Sequence, residues 1–362
     1  MIMWSFHPYL LVLFSLLVSF IIVYISVPSI VTVANTKKLF DEPGHRKSHF
    51  GRIPNLGGVA IFAGIIISTG LFANFEISGE LMPVLIAMVV IFFIGIKDDI
   101  LIIAPAKKLY GELLAAIIVV LIGNIRFTSL HGFLGINEID YIPSLLLTGF
   151  VVVVLINAFN LIDGIDGLAS GIGIVVSLTF GSWFMLTGFT NYAILSASLL
   201  GCLVAFFGFN VFGKKNKIFM GDTGSLILGL IMSILVIKFN EANITYQGIY
   251  TIKSAPAVSF GILIVPLFDT MRVFSLRIIR GQSPFHPDKN HLHHRVLKLG
   301  FSHIESTVLI AVVNIFFIII MLTCQSAGLL FLMFLNITMA SFFAILTEYF
   351  IRKHKVREHL PT

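Results

Sequence analysis

A chain of 362 residues that is 57% hydrophobic and only 12% charged falls outside the soluble globular class, where roughly 45–50% of residues are apolar and about 25% are charged. Its two cysteines, Cys202 and Cys324, both lie in apolar stretches and exclude a disulfide framework and a cysteine-built metal site. The formal charge of +6 would suggest nucleic acid in a soluble protein. In a membrane protein the basic residues are sorted by side first, and no nucleic-acid partner is expected.

Met1 to Pro8 lacks lysine and arginine, and the apolar run from Tyr9 to about Val33 is too long for a cleaved signal segment, so it is expected to be the first permanent span. Further runs near the length a bilayer requires, about 20 residues, follow near 55–73, 82–97, 109–124, 143–161, 168–186, 192–212, 224–239, 256–278, 307–323 and 327–350. The expectation is an all-α polytopic membrane protein with eleven transmembrane helices, ten being the other admissible count. Residues 1–362 form one integral-membrane domain, without repeats or a soluble domain. Loops near 34–54, 98–108, 157–167, 213–223 and 279–306, the helix ends adjoining them and the tail 351–362 gather all 24 lysines and arginines except Arg126, Lys238 and Lys253. The positive-inside rule therefore puts the N-terminus outside and the C-terminus and these loops inside.

Acidic residues are scarce, and Asp98, Asp99, Asp163, Asp166, Asp222, Asp269 and Asp288 all fall at or near cytoplasmic helix ends. Ionisable groups near a bilayer are costly unless paired, hydrated or metal-bound. Asp98-Asp99 closes the third span as adjacent like charges, which magnesium or a lysine such as Lys107 or Lys108 would neutralise; alone, such a pair is also common at solvated helix ends. The string Asn157-Ala-Phe-Asn160-Leu-Ile-Asp163-Gly-Ile-Asp166-Gly carries four oxygen-bearing side chains at three-residue spacing, which share one face if helical. Hard oxygens suit magnesium, and Gly164 and Gly167 allow a turn or a close approach to phosphate. A cap plus a polar turn would explain one Asp and one Gly of this string.

Phe219-Met-Gly-Asp222-Thr-Gly-Ser225 opens the eighth span with helix N-terminal amides suited to phosphate, or to a carboxylate holding a metal; an ordinary N-cap is the competing reading of Asp222. The last large loop carries His286, Asp288, His291, His293, His294 and Arg295. Its spacing matches no standard zinc site, and its basic company suits a polyphosphate, to which His and Arg donate hydrogen bonds.

Five motifs in this order, namely Arg46-Lys47-Ser48-His49 with Pro54 and Gly57-Gly58, Asp98-Asp99, Asn160 to Gly167, Gly221 to Ser225, and His291-Leu-His293-His294-Arg295, resemble the polyprenyl-phosphate N-acetylhexosamine-1-phosphate transferase family over nearly the whole chain. The interrupted histidine run is similar to the branch that uses UDP-N-acetylglucosamine. The cell-wall phospho-N-acetylmuramoyl-pentapeptide transferases, which have an uninterrupted triplet, are the alternative.

The resemblance implies a bacterial inner-membrane, multi-pass enzyme that moves GlcNAc-1-phosphate from a UDP-sugar to undecaprenyl phosphate and releases UMP. Magnesium, with manganese able to substitute, is the implied cofactor, and a homodimer is compatible with the pattern. Asp222 and Asn160 would hold the metal. His291, His293, His294 and Arg295 would clamp the diphosphate, Phe219 and Asn210 would contact uracil, and Lys47 and Lys108 would hold the lipid phosphate. Asp98 and Asp99 would lie near that acceptor, with Asp163 and Asp166 completing the catalytic set. Direct attack by the ionised lipid phosphate is favoured over a covalent aspartyl intermediate, since a phosphate second pKa near 6 needs no strong base. A transporter would place its polar groups at the midplane, where these segments are apolar, and a scaffold would leave the carboxylates and histidines without purpose.

Overall fold

The structure, a computed structural model, describes residues 7–39, 53–76, 79–101, 103–282 and 290–358, with side chains to Lys353. Lys47, the rest of its basic motif, His286 and Asp288 lie outside the described residues. The elements run α1 (Pro8–Lys37), α2 (Gly57–Phe72), α3 (Leu81–Leu101), α4 (Pro105–Ile117, continued by a π-helical turn Ile118–Ile122), β1 (Ser129–Phe133), β2 (Ile136–Glu138), α5 (Tyr141–Ile162), α6 (Leu168–Thr187), α7 (Thr190–Phe212), α8 (Gly221–Thr245), α9 (Ala255–Ile262), α10 (Ile264–Ile279), α11 (Leu292–Leu297), α12 (His303–Thr323) and α13 (Leu329–Glu358).

Each apolar segment of the sequence falls on one helix, or, for 256–278, on the pair α9–α10. Among the described residues, seven helices are long and apolar enough to cross a membrane, or eight if α9 and α10 form one span. That count is lower than the eleven expected. α2 has only 16 residues, α3 carries Lys97, Asp98 and Asp99 in its last two turns, and α4 has two lysines in its first turn and gives way to the π turn. The chain is an all-α polytopic membrane protein with one small addition that the sequence reading missed, the antiparallel β1–β2 hairpin. Leu134 and Gly135 both take positive φ in its two-residue turn, the geometry that matches strand twist. The hairpin docks on α8, where Thr128 donates to Glu241 through both its amide and its hydroxyl, each at 2.7 Å.

α8 is the axis of the bundle. Every residue from Thr223 to Ile237 is buried, as an apolar circumference requires, and α2, α3, α5, α6 and α9 pack around it. This arrangement brings the N-terminus of α8 to the C-terminal ends of α3 and α5.

The bend of 82° between α9 and α10 follows from Pro266. Proline lacks the N–H that would bond the carbonyl four residues back, which is that of Ile262. Asn314 on α12 supplies the missing donor, its Nδ2 lying 3.1 Å from the Ile262 oxygen. Asn336 on α13 also donates to α9, at the Ala257 carbonyl, at 3.0 Å. The buried Asn314 thus makes the broken backbone tolerable at membrane depth.

Candidate active site

Gly58 and Gly95 let three helices meet closely: a Cβ on Gly58 would collide with the Gly224 backbone, and one on Gly95 with the Thr223 backbone. Pro54 to Gly58 lie along the irregular segment that enters α8. Phe219 N–H donates to Pro54, and the amides of Gly57 and Gly58 donate to Phe219 and Met220, all at 2.9–3.0 Å. Gly221 has φ +71, and a Cβ there would strike Asn55 and Asp99.

The adjacent Asp98 and Asp99 diverge. Asp99 caps α8 from another helix, accepting from Asp222 N–H at 2.7 Å, Thr223 N–H at 3.0 Å and the Thr223 hydroxyl at 2.5 Å. A carboxylate there complements the orphan amides and the positive helix end. Asp98 instead accepts from Ile103 N–H at 2.8 Å and pairs with Lys108 at 3.2 Å.

The Lys108 ammonium also lies 2.7 Å from Asp222 Oδ1 and 3.2 Å from Asn160 Oδ1. Asn160 Nδ2 donates to Asp222 and, at 2.9 Å, to the Ser225 hydroxyl. Three hard oxygens therefore converge on one cation. Of the two neutralisers envisaged for the aspartate pair, Lys108 is the lysine in place.

The Asn157–Asp166 string does not form one helical face. α5 stops at Ile162, Asp163 leaves the helical region at ψ 47, and Gly167 takes φ +82, so the segment turns and its polar groups diverge. Asn157 donates to Glu112 of α4. Asp166 is gripped by Lys217 at 2.6 Å and faces His303 at 3.6 Å; burial works against its charge, but His303 and Lys217 hold its carboxyl below the usual range.

Asp163 has neither hydrogen bond nor ion pair among the described residues. It keeps a partly open surface, yet the protein bulk around it and then the charges of Asp222, Asp99 and Asp166 push its carboxyl up to about 8. An uncompensated acid among acids is a place for a cation.

The histidine loop closes on this turn. Gly164 lies against the His293 imidazole, where a Cβ would collide with the ring. His293 is buried with Nε2 unpartnered among the described residues, and burial followed by the charge of His294, whose ring centroid is 4.2 Å away, pushes it down to about 3. These surroundings hold the imidazole towards its neutral form, which can still donate one hydrogen bond to a phosphoryl oxygen. His291 bonds Asp269 at 2.9 Å, and Asp269 also accepts from Leu292 N–H at 2.9 Å and Arg272 at 2.8 Å.

Two of the expected residues are engaged by protein groups in this structure. Arg295 points to α13, donating to Glu348 at 2.8 Å and to the Ala344 carbonyl at 3.1 Å, because Glu348 offers it a carboxylate. Asn210 is 5% exposed and spends its amide on Gly167 N–H at 2.6 Å and the Ile218 carbonyl at 2.9 Å; it ties the turn to the loop before α8 rather than presenting itself to a base. Phe219 is half-buried beside that loop.

A family model described as glycosyl transferase family 4 matches residues 81–240, the stretch from α3 into α8 that carries every carboxylate of the cluster. The undecaprenyl-phosphate alpha-N-acetylglucosaminyl 1-phosphate transferase of Escherichia coli O157:H7 is 32% identical over 281 residues, 77% of this chain and 74% of that protein. The chain belongs to glycosyl transferase family 4. A Bacillus subtilis (strain 168) protein named probable undecaprenyl-phosphate N-acetylglucosaminyl 1-phosphate transferase is 30% identical over 336 residues, 92% of this chain and 90% of its own. The Salmonella typhi protein that shares the Escherichia coli protein's name is 33% identical over 275 residues, 75% of this chain and 72% of its own.

The family and these relatives make the chain a membrane-embedded phosphosugar transferase. Two residues of the transferase's site escaped the sequence reading. Glu112, 1% exposed, is the sole acid in the apolar run from Tyr110 to Ile122 and stands four residues after Lys108, a signal that was visible. Asp269 was noted as an interfacial acid, but nothing in the sequence tied it to the histidines.

Among the described residues no three His, Cys, Asp or Glu side chains are already arranged around a metal position. The donor chemistry nevertheless fits a hard divalent cation: carboxylates of Asp98, Asp222 and Asp163 with the Asn160 amide oxygen, and no sulfur.

Proposed function

We propose that the transferase moves GlcNAc-1-phosphate from UDP-GlcNAc to undecaprenyl phosphate, releasing UMP, at the cytoplasmic face of a bacterial inner membrane. The relatives' names supply the acceptor and sugar, and the observation that carries the chemistry is Asp163, unpaired beside Asp99, Asp166 and Asp222 at the N-terminus of α8. The basic loops support an N-out, C-in orientation, with α2, the α3 and α4 segments and the α9–α10 pair as further crossings to make eleven.

Both reactants are anionic, so catalysis here is positioning and charge neutralisation. Asp222, Asn160 and Asp163 would hold magnesium, which supplies Lewis-acid neutralisation of the diphosphate. An oxygen of the lipid phosphate forms a bond to the β-phosphorus of UDP-GlcNAc as the bond to the bridging oxygen breaks, and UMP leaves with that electron pair. Lys108 sits among Asp98, Asp222 and Asn160, placed to bring cationic charge to the approaching phosphate. Neutral His293 can give one hydrogen bond to a phosphoryl oxygen, and His291 is oriented for the loop by Asp269.

The test is UMP release by purified protein given undecaprenyl phosphate, magnesium and a panel of UDP-sugars. Release with UDP-GlcNAc that stops with chelator is expected. Equal turnover with UDP-N-acetylmuramoyl-pentapeptide would favour the cell-wall reaction, and full turnover in chelator would remove the metal.

A further inference from the structure

The second charged cluster of the bundle lies at its other end. Lys238 is 16 residues beyond Asp222 on α8, about 24 Å along the axis at 1.5 Å per residue. A lysine on a membrane-spanning helix marks a site by default once its partner is known. Its ammonium lies 2.8 Å from Glu80 Oε2 and 5.3 Å above the Tyr192 ring, and the Tyr192 hydroxyl donates to the same Glu80 oxygen.

These bonds all use Oε2. Glu80 Oε1 has no partner among the described residues, and Lys238, with three N–H donors, has one engaged. A free acceptor and free charged donors thus stand side by side on the wall of a cavity of about 590 Å³, within the range that holds small ligands. Asn74 and Asn191 stiffen the rim through two reciprocal bonds of 2.8 Å.

The remaining wall is apolar, with Leu11, Phe72 and Phe189. It opens beside α1, whose Leu10, Leu13, Phe14 and Leu17 are 38–48% exposed and face the surroundings. Opposite charges in an interfacial pocket next to a greasy helix match a molecule with a phosphate, a primary ammonium and acyl chains.

We infer that this cavity binds the headgroup of a zwitterionic phospholipid, its phosphate on Lys238 and its primary ammonium on Glu80 Oε1, with the chains lying along α1. Native mass spectrometry of the full-length protein in detergent, titrated with phosphatidylethanolamine, phosphatidylcholine and phosphatidylglycerol, tests it. Phosphatidylethanolamine should bind about tenfold more tightly than the others, because phosphatidylcholine offers no N–H to Glu80 and phosphatidylglycerol no cation; that factor is the order expected for one charge-assisted hydrogen bond.

Glu80→Met should abolish the preference for phosphatidylethanolamine, and Lys238→Met should weaken all three lipids together, since each carries the phosphate. Thr190→Trp, which fills the cavity and leaves the ion pair alone, should abolish binding while UMP release at the far end continues, which shows the protein is folded. Equal binding of all three lipids, preference for phosphatidylglycerol, or unchanged binding in Thr190→Trp would each overturn the assignment.

Discussion

Two aspartates flank the contact between Gly164 and His293 and live in opposite company. Asp269 is 2% exposed and fully engaged: Arg272, His291 and the Leu292 amide all bond it. Asp163, on the facing turn, has only other carboxylates for electrostatic neighbours. The engaged acid builds the histidine loop, whereas the unengaged one is held ready for a positive partner. Burying charge is costly either way, so the protein neutralises it where it needs rigidity and leaves it exposed to a cation where it needs chemistry.

The sharpest way to break this contrast is to neutralise both acids in turn. Asp163→Asn should cut UMP release by about three orders of magnitude, the scale of losing a preorganised electrostatic contact, with no loss of thermal stability because the cost of burying a carboxyl among other acids disappears. Asp269→Asn should lower stability and turnover together, since removing one partner of a buried network costs about 3–5 kcal/mol. Thermal melts in detergent beside initial rates distinguish the two; a destabilised Asp163→Asn would sink the distinction.

Titration tests the same contrast. With Asp163 raised to about 8 from an ordinary value near 4, the folded state binds more protons than the unfolded one between those limits. Its contribution to stability is therefore complete below about pH 4 and is lost as pH climbs to about 8. In chelator, the wild-type melting temperature should decline relative to Asp163→Asn across that window, and magnesium should narrow the gap at the alkaline end. Parallel curves would mean that Asp163 is already compensated.

Smaller effects come from the supports. Lys217→Met releases Asp166 and loosens the turn, so turnover should drop about tenfold, consistent with a misplaced group, and Asp166→Lys combined with Lys217→Asp should recover part of it. Glu348→Gln should cost at most about 1 kcal/mol, since that carboxylate is 44% exposed, and should change rates only a few-fold; a large effect would restore Arg295 to the phosphate site.

Much of this was legible in the chain. Apolar length placed the long helices, though it read α9 and α10 as one and left α11 inside a loop, and the scarcity of acids pointed to Asp98, Asp99, Asp163 and Asp222 before any contact was known. What stayed hidden depended on partners distant in sequence. Asp98 and Asp99 look identical as neighbours, but only Asp99 caps the amides of α8. Asn210 has the chemistry to read a base and is spent on backbone. The Asn157–Asp166 spacing suggested a helix face, and the αL glycine at position 167 converts it to a turn, which composition alone does not fix. The hairpin at 129–138 is too short for its alternation to stand out.

The capping of α8 by Asp99, 123 residues earlier in the chain, bears on biogenesis. When α8 leaves the ribosome its first amides have no acceptor of their own, and they obtain one only by docking against a helix laid down long before. The carboxylate half of the reaction centre therefore comes into being with that docking, and a nascent chain stalled before it carries the acids of α3 without the helix end they serve.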